Sequence, residues 1–313
     1  MSVNTAVMSE TILEGLNEVF YDTFSPEMAP DTAKIEDVFK VEKSKKHDEF
    51  DLENQGVSRF TVKGEDSDLD EDTIKEKYKT QYTHVAYNKS VAVSYEYMED
   101  DLYNIVKDDI GDLGMAGRDT DFFNAFSIYR NAFSSSFLGA DGKSLCATDH
   151  PRGISGTMSN KFTAKLSGAI LEEMIKALIE QKSLAGLSVP NLPDTLLVTP
   201  FLYPLAVRLT EAKLIPGSNN NDPNVFSVKY GIKVKQSVYI GAAQGGSDHS
   251  FFLLGARHKI KKYTRAPMMT WLTPWENSRK MHTYYNAYFR NSYGWSSPLG
   301  IVGSDGTTGS YPS

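Results

Sequence analysis

Between Phe39 and Ser94 the chain runs through segments of two-residue periodicity in which neither face is apolar, and this limits the possible folds more than any other feature. Ser58, Phe60 and Val62 alternate with Arg59, Thr61 and Lys63, and Tyr78, Thr80, Tyr82 and His84 alternate with Lys79, Gln81, Thr83 and Val85. The spacing predicts two arms of a hairpin. Between them lies Glu65–Asp72, in which six of eight residues are acidic, a run that repels itself and stays solvated as a loop tip. A hairpin without an apolar face has no core of its own chain to join, so it is expected to project and to find partners elsewhere. Glu65, Asp66, Asp68, Asp70, Glu71 and Asp72 at the tip, with Tyr78 and Tyr82 in the returning arm, are the candidate inter-subunit contacts.

The rest of the chain is conventionally amphipathic. Ile12, Leu13, Leu16, Val19 and Phe20 mark a helix over Ser9–Asp22, too poor in apolar surface to be a domain, so it reads as an arm that docks on another body, a neighbouring subunit being one choice. A long helix is expected over Glu99–Phe133, with Leu102, Ile105, Val106, Ile110 and Leu113 on one face. Gly111, Gly114 and Gly117 each cost up to about 1 kcal/mol against alanine, so its middle is expected to be either bent or closely approached by another backbone. Further helices are expected over Thr163–Lys182 and Leu202–Lys213, and strands over Thr195–Val198, Val225–Val228, Ile232–Val238, Phe251–Leu254 and Thr283–Phe289. The fold class is mixed α+β.

Several functions are excluded or disfavoured. With 33 basic against 40 acidic side chains the net charge is -7, which disfavours a protein whose main task is gripping nucleic acid. No run of 18 apolar residues occurs, and no charged leader precedes an apolar segment, so neither a membrane span nor export is expected. The single cysteine, Cys146, forms no internal bridge, and a reducing cytosol suits folding. Cys146 and His150 are the one pairing that could suggest a cysteine-dependent hydrolase, but Ala147, Thr148 and Asp149 between them and Pro151 after them read as a turn, whereas such pairs come from distant segments. Gly139–Ser144 lacks the first glycine and the preceding strand of a phosphate loop and reads as a turn on Asp141-Gly142. The six histidines show no metal-binding spacing, and the acidic run lacks the glycine turn of a calcium loop. No cofactor, metal or catalytic residue is expected, and a structural or assembly role follows by default. The 16 Phe, 17 Tyr and 3 Trp suit surfaces that must be both wet and adhesive.

The order of these elements, arm, extended hairpin, long helix, α/β region and strand-rich return, resembles the HK97-type major capsid protein of tailed phages. Ser144–Pro151 followed by Gly156–Asn160, Pro193–Pro200, Pro216–Asn224 and the aromatic return ending Tyr293-Gly294-Trp295 resemble segments of Mu-like major head subunits. Cys146 departs from the pattern, standing where that family carries serine or a similar small residue. The resemblance implies an N-terminal arm (1–36), an extended loop (37–95), a spine helix with the first part of the core (96–189), a domain of mixed α/β character near the symmetry axes (190–261) and return strands with a C-terminal tail (262–313). It also implies pentamers and hexamers of an icosahedral shell around double-stranded DNA held without sequence-specific contacts. Scaffolding, portal and decoration proteins would be partners, and the host cytoplasm the place of assembly into the virion. An encapsulin-like nanocompartment shell is the alternative of the same fold.

Overall fold

The computed structural model describes residues 5–311 except 27, 66–67, 74, 100–102, 153–155 and 214–222. In chain order the elements are α1 (Thr5–Phe24), α2 (Ile35–Val38), β1 (Lys40–Lys43), β2 (Asp48–Asn54), β3 (Glu76–Thr83), β4 (Val85–Ser94), α3 (Tyr95–Glu99) and α4 (Tyr103–Arg130). There follow β5 (His150–Arg152), β6 (Gly156–Met158), β7 (Lys161–Ala164), α5 (Gly168–Ile179), β8 (Pro193–Val198) and α6 (Tyr203–Thr210). The return consists of β9 (Lys233–Gln236), β10 (Phe251–Gly255), β11 (Ile260–Thr273), β12 (His282–Trp295) and β13 (Ile301–Thr308). The class is mixed α+β, as the sequence patterns predict.

A five-stranded sheet in the order β7-β13-β10-β8-β9 forms one layer. Its middle strand β10 reads Phe-Phe-Leu-Leu-Gly with every residue buried, because both faces of the sheet are covered. Alternation sends Phe251 and Leu253 to α5 and α6, where they meet Leu171, Met174 and Leu178, while Phe252 and Leu254 turn to the second half of α4, where they meet Phe126 and Tyr129. A four-stranded sheet, β1-β11-β12-β4, carries the other core. There Tyr285 and Ala287 of β12 and Val93 of β4 pack on Val106, Ile110 and Leu113 from the first half of α4, with Leu16 and Phe20 of α1. The long helix therefore belongs to both cores.

The N-terminal helix docks on its own subunit. Its partner is α4, and the three glycines are the reason: a Cβ on Gly114 would lie 2.5 Å from the Phe20 carbonyl oxygen and closer still to Thr23 Oγ1. Gly111 faces Val19 and Thr23, and Gly117 faces Phe24 and Met268. Of the two expectations for the helix centre, close backbone approach holds.

Three other expectations change. Residues 161–164 form a strand on β13 instead of the start of a helix, and the helix begins after Ser167, whose Oγ accepts from Ile170 N. The strand expected over Val225–Val228 is a single helical turn, Phe226–Tyr230, closed by Gly231 at φ 58°. Asn224 fixes it, accepting from Phe226 N while its amide donates to the Leu209 carbonyl. Finally, residues 57–63 do not form a regular strand, and the regular part of the hairpin is β2 paired with β3. Most of the Pro216–Asn224 segment and Asp66 of the loop tip lie outside the described residues.

Gly114→Ala is expected to lower stability by about 1–3 kcal/mol through overpacking, although alanine is the better helix former. Gly168→Ala, where a Cβ meets nothing, should be neutral or stabilising. Denaturant midpoints of the two variants decide this, and a Gly114 variant as stable as wild type would mean that α1 is not held against α4.

Candidate assembly surfaces

The hairpin leaves the four-stranded sheet from β1 and returns to it as β4, so its root must be fixed where those strands start. Charge and hydrogen bonding fix it. Asp51 of β2 accepts from Tyr263 Oη at 3.2 Å and Tyr82 Oη at 3.2 Å and is paired with Lys261 Nζ at 3.0 Å. Burial works against the Lys261 charge, and the bonds to Tyr263 and Asp51 outweigh it, holding the ammonium above its ordinary range. Tyr82 and Tyr263 pack edge to face at 4.9 Å, and burial, with the neighbouring carboxylate, pushes the Tyr82 phenol up. Gly294 has no room for a side chain because the Tyr82 ring occupies that space, 2.7 Å from a Cβ built there. Two residues further along β2, Glu53 accepts from Ser297 Oγ at 2.7 Å and from Arg152 at 3.3 Å. At the return, His84 sits between Ser44 Oγ (3.0 Å) and Ser292 Oγ (2.9 Å).

Of the candidate contacts, Tyr82 is only 2 % exposed and is used inside its own chain, so it is corrected from an inter-subunit contact to a root residue. The alternation reading missed this because it counted apolar residues, whereas the hairpin docks through a tyrosine ring and ion pairs. Tyr78 is half-buried, near Asp141, Arg152 and Glu53.

Beyond β2 and β3 the two limbs stay in hairpin register without a regular ladder. Gln55 N donates to Lys75 O, Ser58 N and Oγ both donate to Asp72, and Thr61 Oγ1 donates to Asp70. The Ser58 bonds hold the Asp72 carboxyl below its ordinary range. Asp70 and Asp72 thus tie the limbs together, while Glu65, Asp68 and Glu71 are exposed and enter no ion pair among the described residues. Phe60 and Val62 on the outgoing limb are fully exposed, at 107 % and 100 %, and Leu69 at 76 %. A loop presenting such side chains to water calls for a cover.

The thiol and histidine do not pair. Cys146 lies in the core against Gly303 and Phe252, burial pushes its pKa up, and His150 Nδ1 is bonded to Asp141 at 2.7 Å. Among the described residues no group of three or more His, Cys, Asp or Glu is placed to hold a metal ion, and no helix is long and apolar enough to cross a membrane.

No protein-family model matches the chain, and no curated protein sequence does. Solved structures do match. A virus-like particle from Pyrococcus furiosus is similar at a TM-score of 0.56 with 10% identity, over 93% of this chain and 98% of that one. The capsid of Cyanophage P-SCSP1u is similar at a TM-score of 0.57 with 14% identity, over 90% of each chain. The chain has the HK97-type capsid-subunit fold. A chain of the bacteriophage JBD30 capsid decorated with minor capsid protein trimers is similar at 0.54 with 14% identity, over 74% of this chain and 98% of that one. In this fold the sequence expectations of a spine helix and an extended loop correspond to α4 and to the hairpin that spans β2 and β3.

Asp51→Ala is expected to cost about 1.5–3 kcal/mol, since it removes the acceptor shared by two phenols at the root and one of the two acids paired with Lys261. Hydrogen exchange should show β2 and β3 losing protection while β8 and β10 keep theirs. Uniform loss over all four strands would mean that the root is not a separate anchor.

Two buried histidines set an acid limit. Burial, with Lys40 nearby, pushes the His258 pKa down to about 4, and burial, with Arg290 nearby, lowers that of His84. The folded chain keeps both neutral where the unfolded chain takes up protons, so their contribution is intact above about pH 6.5 and is lost as the pH falls below it, for His258 down to about 4. The stability difference between wild type and His258→Gln should shrink or reverse across that window. A difference independent of pH would overturn the assignment.

Proposed function

We propose that this chain is a major capsid protein that self-assembles, as pentamers and hexamers, into an icosahedral shell enclosing double-stranded DNA. The observation that carries the reading is the fold likeness, which runs over nine-tenths of both chains in the cyanophage case. The projecting hairpin supports it, with apolar side chains fully in water at Phe60 and Val62 in the isolated subunit. A shell also needs no pocket chemistry, and the one cysteine–histidine candidate is taken up by packing and by Asp141.

On this reading the domain division is that of the sequence expectation, and the segments resembling Mu-like head subunits support membership of that group. The tip acids and Tyr78 act between subunits. A scaffolding protein, a portal and a decoration protein are its partners, assembly takes place in the host cytoplasm, and the mature shell resides in the virion.

Purified protein, produced with and without a scaffolding protein, is expected to sediment as capsomers or megadalton shells instead of at the 34.8 kDa of one chain. Negative-stain electron micrographs would show closed particles, and their contents separate a genome shell from an enzyme-filled compartment. A folded protein that stays monomeric at micromolar concentration with scaffold present would overturn the proposal.

A further inference from the structure

At the root of the hairpin, the β3 limb, the loop 137–140 after α4 and the end of β12 enclose a pocket of about 370 Å³. Its walls are the rings of Tyr82, Phe137, Tyr293 and Trp295, with Leu138 beside them. Phe137 and Leu138 are 38 % and 53 % exposed, an apolar lip left in water. The wall is electrically neutral. Its one charged residue, Lys79, places the ammonium over the Phe50 ring, 4.0 Å from the centroid, and Phe50 is not part of the lining. The hydroxyls of Tyr82 and Tyr293 are taken up by Asp51 and Asp121, which also lie outside the lining, so both rings offer the pocket apolar surface.

Two polar groups of this wall are left over. Trp295 is only 6 % exposed, yet its indole N–H donates to no group among the described residues. Gly139 stands against it without a side chain, and a Cβ there would lie 2.7 Å from Nε1 and cover it. Thr80 Oγ1, on the limb opposite, is shielded from water and has no partner either. Shielded polar groups without partners lower the stability of the free chain, and here two of them belong to one pocket. Both can donate a hydrogen bond. An anion would find no counter-charge in this wall, and a cation would meet two donors. The chemistry that matches is an uncharged, ring-shaped apolar group that brings acceptors and no donor of its own. Among backbone units only an X-Pro segment has that character, since proline carries a carbonyl but no N–H.

We infer that this pocket binds a proline-containing, uncharged segment of a partner protein. The proline ring lies among Phe137, Tyr293 and Trp295, the indole N–H of Trp295 donates to one carbonyl of the segment, and Thr80 Oγ1 donates to a second. Leu138 closes over the ring from the rim. A segment in the polyproline conformation is extended and already ordered, so it enters an aromatic groove at a small loss of entropy. The inference stands on the pocket and holds whether or not the chain forms shells. It also accounts for Gly139, which keeps the indole edge open, and for a threonine whose hydroxyl the isolated chain does not use.

The test uses the full chain with Trp271→Phe and Trp275→Phe, so that tryptophan emission reports Trp295 alone. The probes are a short capped proline-rich peptide without charged residues, the same peptide with alanine for every proline, and a capped trimethyl-lysine peptide. The proline peptide should shift the emission saturably, and the alanine peptide should bind at least about tenfold more weakly. Thr80→Val should weaken binding about fivefold while leaving the free chain as stable as before or more so, a combination that a purely structural hydroxyl would not give. Leu138→Ser, at an exposed position, should weaken binding about threefold with unchanged thermal unfolding. Trp295→Phe, followed by calorimetry, should lose it. Equal binding of the proline and alanine peptides, or no binding by the folded chain, overturns the inference. Tighter binding of the trimethyl-lysine peptide would overturn it and make the pocket a cation cage. Binding by free subunits that disappears in assembled shells would overturn it as well and give the pocket to a neighbouring copy.

Discussion

Both large sheets of this chain are referred to one helix. The first half of α4 supplies Val106, Ile110 and Leu113 to the core under the four-stranded sheet, and the second half supplies Phe126, Ile128 and Tyr129 to the core under the five-stranded sheet. Neither sheet could be displaced along that helix without opening a core, since close-packed interiors tolerate little change of volume. The glycines at 111, 114 and 117 serve the same end. They weaken the helix locally but let α1 approach to backbone contact, and so add a second helix to the thinner of the two cores.

The hairpin is held by other means. Its root rests on Asp51, Glu53, Lys261, Arg152 and three tyrosine or serine hydroxyls, with the Tyr82 ring as its main buried surface. Interactions of this kind are directional, so they fix the angle at which the hairpin leaves the body more tightly than an apolar patch of equal strength would. They also respond to solution conditions, through ionic strength at the tip and through protonation at the buried histidine His84 beside the root.

The parts of the fold that were legible in the sequence are those with strong periodicity. The buried run Phe251–Leu254, the apolar face of α5 and the long helix all stand where the patterns place them. Residues 225–228 read as a strand because Val225, Phe226 and Val228 look β-prone, but Asn224 and Gly231 close a helical turn around them, and the Asn224 bond to Leu209 is a tertiary contact that local pattern does not contain. The helix expected from Thr163 starts late because β13 captures residues 161–164. At the hairpin, the acidic tip was legible from charge and the projection from the want of an apolar face. The role of Tyr82 was not, because its partners Asp51 and Tyr263 lie 31 and 181 residues away in the chain. A signal existed in Gly294, a glycine within an aromatic strand, which marks a place where another ring needs room.

The two feet of the hairpin stand on β1 and β4, which are the opposite rims of the same four-stranded sheet. A hairpin built on adjacent strands would, when pulled at its tip, peel the sheet from one side, one pair of bonds at a time. Here a pull divides between two ladders, four residue pairs from β1 to β11 and ten from β4 to β12. The arrangement works like a bucket handle, fixed at both rims, so that a load applied at the end of a long arm is carried in shear by the whole width of the body. The weak member under such a load is the four-pair foot, and the first mechanical failure would be the release of β1 while the rest of the sheet remains closed.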